Sequence, residues 1–212
     1  MFDAIKSQDF KKEISKILNK KLTEISDEDL ESVEKISINK ENIFGGINDY
    51  QISDLKFLKG LKQCSISGFE ITDQDIDIIN ELPELEFLEF DFCGFKLVSN
   101  SVNNPKLEDL YLDNCVDFKI SYVKSSNLKS LSIVGFKEDM DSLNLAGLMI
   151  MRSLEEIEIH NYKIENIINV ISSAPNVKSI NLDGSIVSEK DLLEEIKING
   201  IKVSNESFFH LH

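Results

Sequence analysis

The side chains here that could perform covalent or metal chemistry are few: Cys64, Cys93, Cys115, His160, His210 and His212. A thiol or hydroxyl nucleophile needs a base within hydrogen-bond reach to draw off its proton. His160 has no cysteine or serine placed beside it to make such a pair. Asp91 and Asp113 could share a hard cation, which prefers several oxygen ligands, but the D-x-D-x-D-G loop of a calcium site is absent. Gly45-Gly46 lacks the G-x-x-x-x-G-K-[ST] frame and its lysine, so it is no phosphate loop. No nucleophile, base and orienting group converge. The expectation is a protein that is not an enzyme, with no cofactor and no metal.

Charge narrows the partners. The 212 residues carry 23 Lys and Arg against 38 Asp and Glu, a formal net charge of −15. A field of that sign repels phosphate backbones and anionic lipid heads, which argues against nucleic acid and membrane surfaces. No run approaches the roughly 18 apolar residues of a membrane span, so no membrane insertion is expected. The opening Met1-Phe2-Asp3-Ala4-Ile5-Lys6 lacks an apolar secretory stretch. The expected location is therefore cytoplasmic, with a secreted or surface protein that has lost its leader as the alternative. Three cysteines are too few for a disulfide framework.

The elements that hold these side chains come from one recurring frame, L-x-x-L-x-L, with Ile, Val, Phe or Cys in place of some leucines. It reads Val33/Ile36/Ile38, Leu61/Cys64/Ile66, Leu85/Leu88/Phe90 and Leu107/Leu110/Leu112. It continues as Leu128/Leu131/Ile133, Leu154/Ile157/Ile159, Val177/Ile180/Leu182 and Ile198/Ile201/Val203. Successive starts are 28, 24, 22, 21, 26, 23 and 21 residues apart. A period in that range predicts a stacked solenoid.

The prolines are an independent check. Pro83, Pro105 and Pro175 each stand two residues before the first apolar position of a repeat. Proline has no amide to donate to a ladder but suits the approach to a strand. Gly68, Gly135 and Gly184 fall two residues after the last apolar position and predict a tight strand exit. Between strands, Thr72 to Asp75 and Ser188 to Asp191 read as capping boxes opening helices. Lys163 to Ser173 reads as a helix with Ile164, Ile167, Ile168 and Ile171 on one face. The stretches near 94–105 and 116–126 are too short for much helix.

The frame resembles that of leucine-rich repeat proteins, L-x-x-L-x-L-x-x-N/C-x-L. The N/C position holds Phe69, Cys93, Cys115, Phe136, Tyr162 and Ser185, so only the two cysteines match, and large residues are expected to pack that row. Residues Ile25-Ser26-Asp27-Glu28-Asp29-Leu30-Glu31-Ser32-Val33-Glu34-Lys35-Ile36, after a helix near Phe10 to Leu18, are similar to the helical cap of bacterial, internalin-like members. The resemblance implies an α/β leucine-rich repeat solenoid. Its parallel concave sheet would have about seven or eight strands, with a convex side of mixed helix, 3₁₀ and turn. The expected division is a cap over 1–32, repeats over 33–205 and a closing segment over 206–212, where Phe208, Phe209 and Leu211 could cover the last repeat.

In such a sheet the x positions line the concave face. Phe87, Glu89, Asp91, Phe92, Asp109, Tyr111 and Asp113 then form one central patch, with Glu156, Glu158 and His160 two strands on. Aromatic side chains among carboxylates suit an interface. Stacked like charges need compensation, which a basic protein partner would supply. The expected function is non-catalytic protein–protein recognition by a monomer. The alternatives are an intracellular inhibitor or immunity protein against a basic enzyme, and a surface or secreted adhesion module.

Overall fold

A computed structural model describes residues 2–41, 46–138, 140–167, 176–187 and 201–204. Eight strands form one sheet: β1 (Lys35–Asn39), β2 (Gln63–Ser67), β4 (Phe87–Asp91), β6 (Asp109–Asp113), β7 (Ser130–Val134), β9 (Glu156–His160), β11 (Ser179–Asn181) and β13 (Lys202–Ser204). Their spatial order is their chain order, and every neighbouring pair is parallel. Each strand comes from one copy of the frame, so the solenoid advances by one strand per repeat. The three apolar positions of the first seven copies are all buried, from Val33 to Leu182. Each such side chain taken from water contributes roughly 1.5–3 kcal/mol, and their stacking makes one continuous core.

The chain starts with α1 (Gln8–Leu18) and α2 (Asp27–Glu31). Ser26 and Asp29 close a reciprocal capping box on α2. Phe10, Ile14 and Leu30 are fully buried in the core that the repeats continue. The start of α1 is held from the connector after β1. Asp54, itself buried, accepts from the amides of Lys6 and Ser7 at 3.1 and 2.9 Å. Asp49 accepts from the Ser7 hydroxyl and from the amides of Gln8 and Asp9. Partial desolvation raises the Asp49 carboxyl, but these donors outweigh it and bring it down to about 2.

On the convex side, α3 (Asp73–Asn80) opens with the expected Thr72–Asp75 capping box. Short parallel strands also run there. β3 (Glu70–Thr72) pairs with β5 (Gly94–Leu97), and β8 (Ser142–Asn144), β10 (Lys163–Glu165) and β12 (Ile186–Val187) form a three-stranded sheet. This corrects the helix expected from Lys163: residues 163–165 are strand, paired with β8 and β12. Their exposed–buried–exposed alternation fits a period of two, and Ile164 is buried by those neighbours. The rest of that expected helix, the Ser188–Asp191 box, Pro175 and the closing aromatic residues lie outside the described residues. Pro83 and Pro105 occupy turns that precede β4 and β6.

The expected glycine register divides in two. Gly68 and Gly184 have φ of +75° and +76°, as a left-handed strand exit requires. Gly135 does not; it is a close-approach glycine, since a Cβ there would lie 2.7 Å from the Tyr162 ring. The inward row at the N/C position also departs from expectation at one repeat. Phe69, Cys93, Cys115, Tyr162 and Ser185 are buried, but Phe136 is 40% exposed. The Tyr162 ring lies over Gly135 from the next repeat, and Phe136 turns outward.

Candidate partner-binding surface

Register pairing brings the outward positions into three rows across the sheet. One runs Gln63, Phe87, Asp109, Ser130, Glu156, Ser179, Lys202. The next runs Ser65, Glu89, Tyr111, Ser132, Glu158, Asn181. The third runs Ser67, Asp91, Asp113, Val134, His160. Phe87, Glu89, Asp91, Asp109, Tyr111 and Asp113 are therefore direct neighbours on β4 and β6. Glu156, Glu158 and His160 face them across the smaller Ser130, Ser132 and Val134 of β7. Phe92 lies outside the three rows: it follows β4 at the strand exit, where its amide donates to the Asp113 carbonyl at 2.9 Å.

Neighbouring side chains hold part of this surface in place. Ser65 Oγ donates to Glu89 at 2.6 Å and Ser67 Oγ donates to Asp91 at 2.9 Å, which fixes both acids from β2. The Phe87 and Tyr111 rings lie 5.4 Å apart at 34°. His160 Nδ1 lies 3.0 Å from the Asp183 carbonyl; since a carbonyl only accepts, Nδ1 carries the hydrogen of that contact. Asp113 is less well served. Its Oδ1 is shielded from solvent and has no hydrogen-bond partner.

The electrostatics follow from that crowding. Burial raises the Asp113 carboxyl above its ordinary range, and Asp91 and Glu89 push it further. Burial likewise raises Asp109, with Glu108 and Glu156 adding to the rise and Lys129 opposing it. Burial and then Glu158, Asp109, Glu156 and Glu89 raise the Tyr111 hydroxyl. No Lys or Arg occupies an outward position of β4, β6, β7 or β9. The lysines stand instead at the leading edge, just before the strands. There Lys62 pairs with Glu34 at 2.6 Å, Lys106 with Glu84 at 2.5 Å and Lys129 with Glu108 at 2.7 Å, and Lys178 pairs with Glu155. Each pair joins one repeat to the next. Sequence reading missed this ladder because its members are about one repeat apart in the chain.

The strand exits hold a second missed feature. At the register of Gly68 and Gly184 stand Phe92, Asn114 and Asn161, with φ of +49°, +49° and +64°. Asparagine tolerates this region, whereas a bulky side chain there is an outlier. Phe92 is nevertheless 57% exposed. Its ring meets the outward-turned Phe136 ring at 6.1 Å and 63°, across the exit of the intervening strand at Asn114.

The arrangement offers no redox or nucleophilic thiol. Cys64, Cys93 and Cys115 are free and buried, and burial pushes them up to about 12, 11 and 12. The Cys93 and Cys115 thiols lie 3.4 Å from the Ile66 and Phe90 carbonyls of the preceding repeats. Among the described residues no group of three or more His, Cys, Asp or Glu could hold a metal ion. Among them, too, no helix is long and apolar enough to cross a membrane.

No protein-family pattern matches the chain, and no curated protein matches it in sequence. Solved structures do. Internalin C2 from Listeria monocytogenes is similar over 94% of this chain and 93% of its own, with 18% identity and a TM-score of 0.56. Internalin F from the same organism aligns over 94% of this chain and 75% of its own, at 15% identity and a TM-score of 0.37. Identity this low speaks to fold alone, and here it agrees with the sheet, the helical start and the buried frame. The chain folds as an internalin-like leucine-rich repeat solenoid.

Proposed function

We propose that this chain is a non-catalytic recognition scaffold that binds a basic protein through the centre of its concave sheet. The observation that carries the reading is the imbalance of charge. Glu89, Asp91, Asp109, Asp113, Glu156 and Glu158 share four adjacent strands with Phe87 and Tyr111, and no Lys or Arg stands within those strands. Unpaired carboxylates beside aromatic rings favour a partner that brings positive charge and an apolar anchor. The similarity to a bacterial internalin supports a binding role in general. In this reading residues 1–32 are the cap that closes the first repeat, with Phe10, Ile14 and Leu30 as its buried contacts.

The experiment replaces Glu89, Asp91 and Asp113 by Lys and Tyr111 by Ala together. The variant is expected to keep the wild-type circular dichroism. Its affinity for the basic proteins that the wild type captures should fall by at least about 100-fold, some 2.7 kcal/mol. Capture by the wild type should weaken steadily from 50 to 500 mM salt, as screening shortens the reach of the field. Equal capture of the same proteins by the variant would place binding elsewhere.

A further inference from the structure

We propose that the exit edge of the sheet, from β4 to β7, seats an arginine side chain of the partner, with its guanidinium on Asp113 and Asp91 and its flat face against the Phe92 ring. The inference rests on the concave-sheet reading above and narrows it to one contact.

Three observations meet at this edge. Asp113 has a side-chain oxygen with no donor, although it is shielded from water. The residue as a whole is only partly buried, so a donor arriving from the open face can reach its carboxylate. Asp91 is its register neighbour, and Ser67 already fixes that carboxylate. Strands about 4.8 Å apart place the two acids within the span of one planar donor group. Guanidinium offers five N–H donors in a rigid fork, whereas an ammonium is a point charge.

Phe92 is the third observation. Four other repeats use Gly68, Asn114, Asn161 or Gly184 in the left-handed exit, and this repeat alone keeps a large ring there, at φ +49°. The ring is 57% exposed, so it contributes little to the core in return for the strained backbone. It is propped by Phe136 at 6.1 Å, which was itself turned out of the inward row. A strained, exposed and propped aromatic residue that follows Asp91 and bonds the Asp113 main chain offers a stacking face for a flat cation. Lysine would satisfy the charge but could not both bridge the acids and lie flat on the ring.

The test uses the full chain and two probes of equal charge, acetylated and amidated hexa-arginine and hexa-lysine, titrated by calorimetry at low salt. Wild type is expected to bind hexa-arginine at least about tenfold more tightly. Phe92→Asn should bring the two probes within about twofold while raising the melting temperature by about 2–4 °C, because it relieves the strained exit. Asp113→Asn should also level the two probes. Equal binding of both probes to wild type overturns the arginine site. If that binding is then lost in the quadruple concave variant, the broader reading stands. A preference that survives both single variants also overturns the site. Binding of neither probe overturns the site and the concave reading together.

Discussion

The two edges of the concave sheet are built on opposite plans. At the leading edge Glu34–Lys62, Glu84–Lys106, Glu108–Lys129 and Glu155–Lys178 pair one repeat with the next, so charge is answered within the molecule. At the exit edge Asp91 stands beside Asp113, one carboxylate oxygen has no donor, and a phenylalanine holds a backbone conformation that suits glycine. One edge answers its charges within the molecule; the other leaves them crowded together. A solenoid can carry both because each row of side chains runs across all repeats and can be tuned separately from its neighbours.

Substitutions at the two edges should therefore differ in size and, at the acidic pair, in sign. The largest expected effect is at the exit of β7. Gly135→Ala drives a methyl group to 2.7 Å from the Tyr162 ring and 3.1 Å from the Asn161 carbonyl. It should cost about 1–3 kcal/mol in urea unfolding. A neutral result would mean that the Tyr162 ring can move aside.

Next comes Asp113→Asn, expected to stabilise by about 1 kcal/mol at pH 7 because it removes a crowded, desolvated charge. The pH dependence has a fixed sign. The folded carboxyl is raised, so ionised Asp113 costs stability above its folded value. That cost fades as pH falls, and it is gone below the ordinary value of 3.8, where both states are protonated. The gap between variant and wild type should therefore close on acidification. A gap that widened would show the acid to be stabilised by its surroundings.

The smallest effect belongs to the leading edge. Lys129→Met breaks a pair whose side chains are 51% and 44% exposed. Such pairs contribute about 0.2–1 kcal/mol, and the loss should disappear in 1 M salt. A larger, salt-independent loss would show that the lysine stem packs against the repeat and that the ladder is more than electrostatic.

The repeat architecture was legible because it depends on spacing alone: Leu85, Leu88 and Phe90 point inward in any strand that alternates, and the next repeat copies them. The central patch was legible for the same reason, since Glu89 and Tyr111 are simply the outward neighbours of those residues. What escaped depends on contacts between repeats. Lys163 to Glu165 carries an apolar spacing that a helix also satisfies, and only pairing with β8 and β12 decides for strand. The exit register was visible where it held Gly68 and Gly184. It was hidden where it held Phe92, Asn114 and Asn161, because a side chain does not announce its own φ. Phe136 was misplaced because the ring it meets on the outside, Phe92, belongs to a strand exit two repeats earlier.

The hold of Asp49 and Asp54 on the start of α1 bears on the order in which the chain can become ordered as it is made. The amides of Lys6, Ser7, Gln8 and Asp9 receive their acceptors from residues 40 to 48 positions later. Helix α1 therefore waits, with its leading turn incomplete, until the connector after β1 has also emerged from the ribosome. The end of the solenoid that is synthesised first is finished only when its first repeat arrives to complete it.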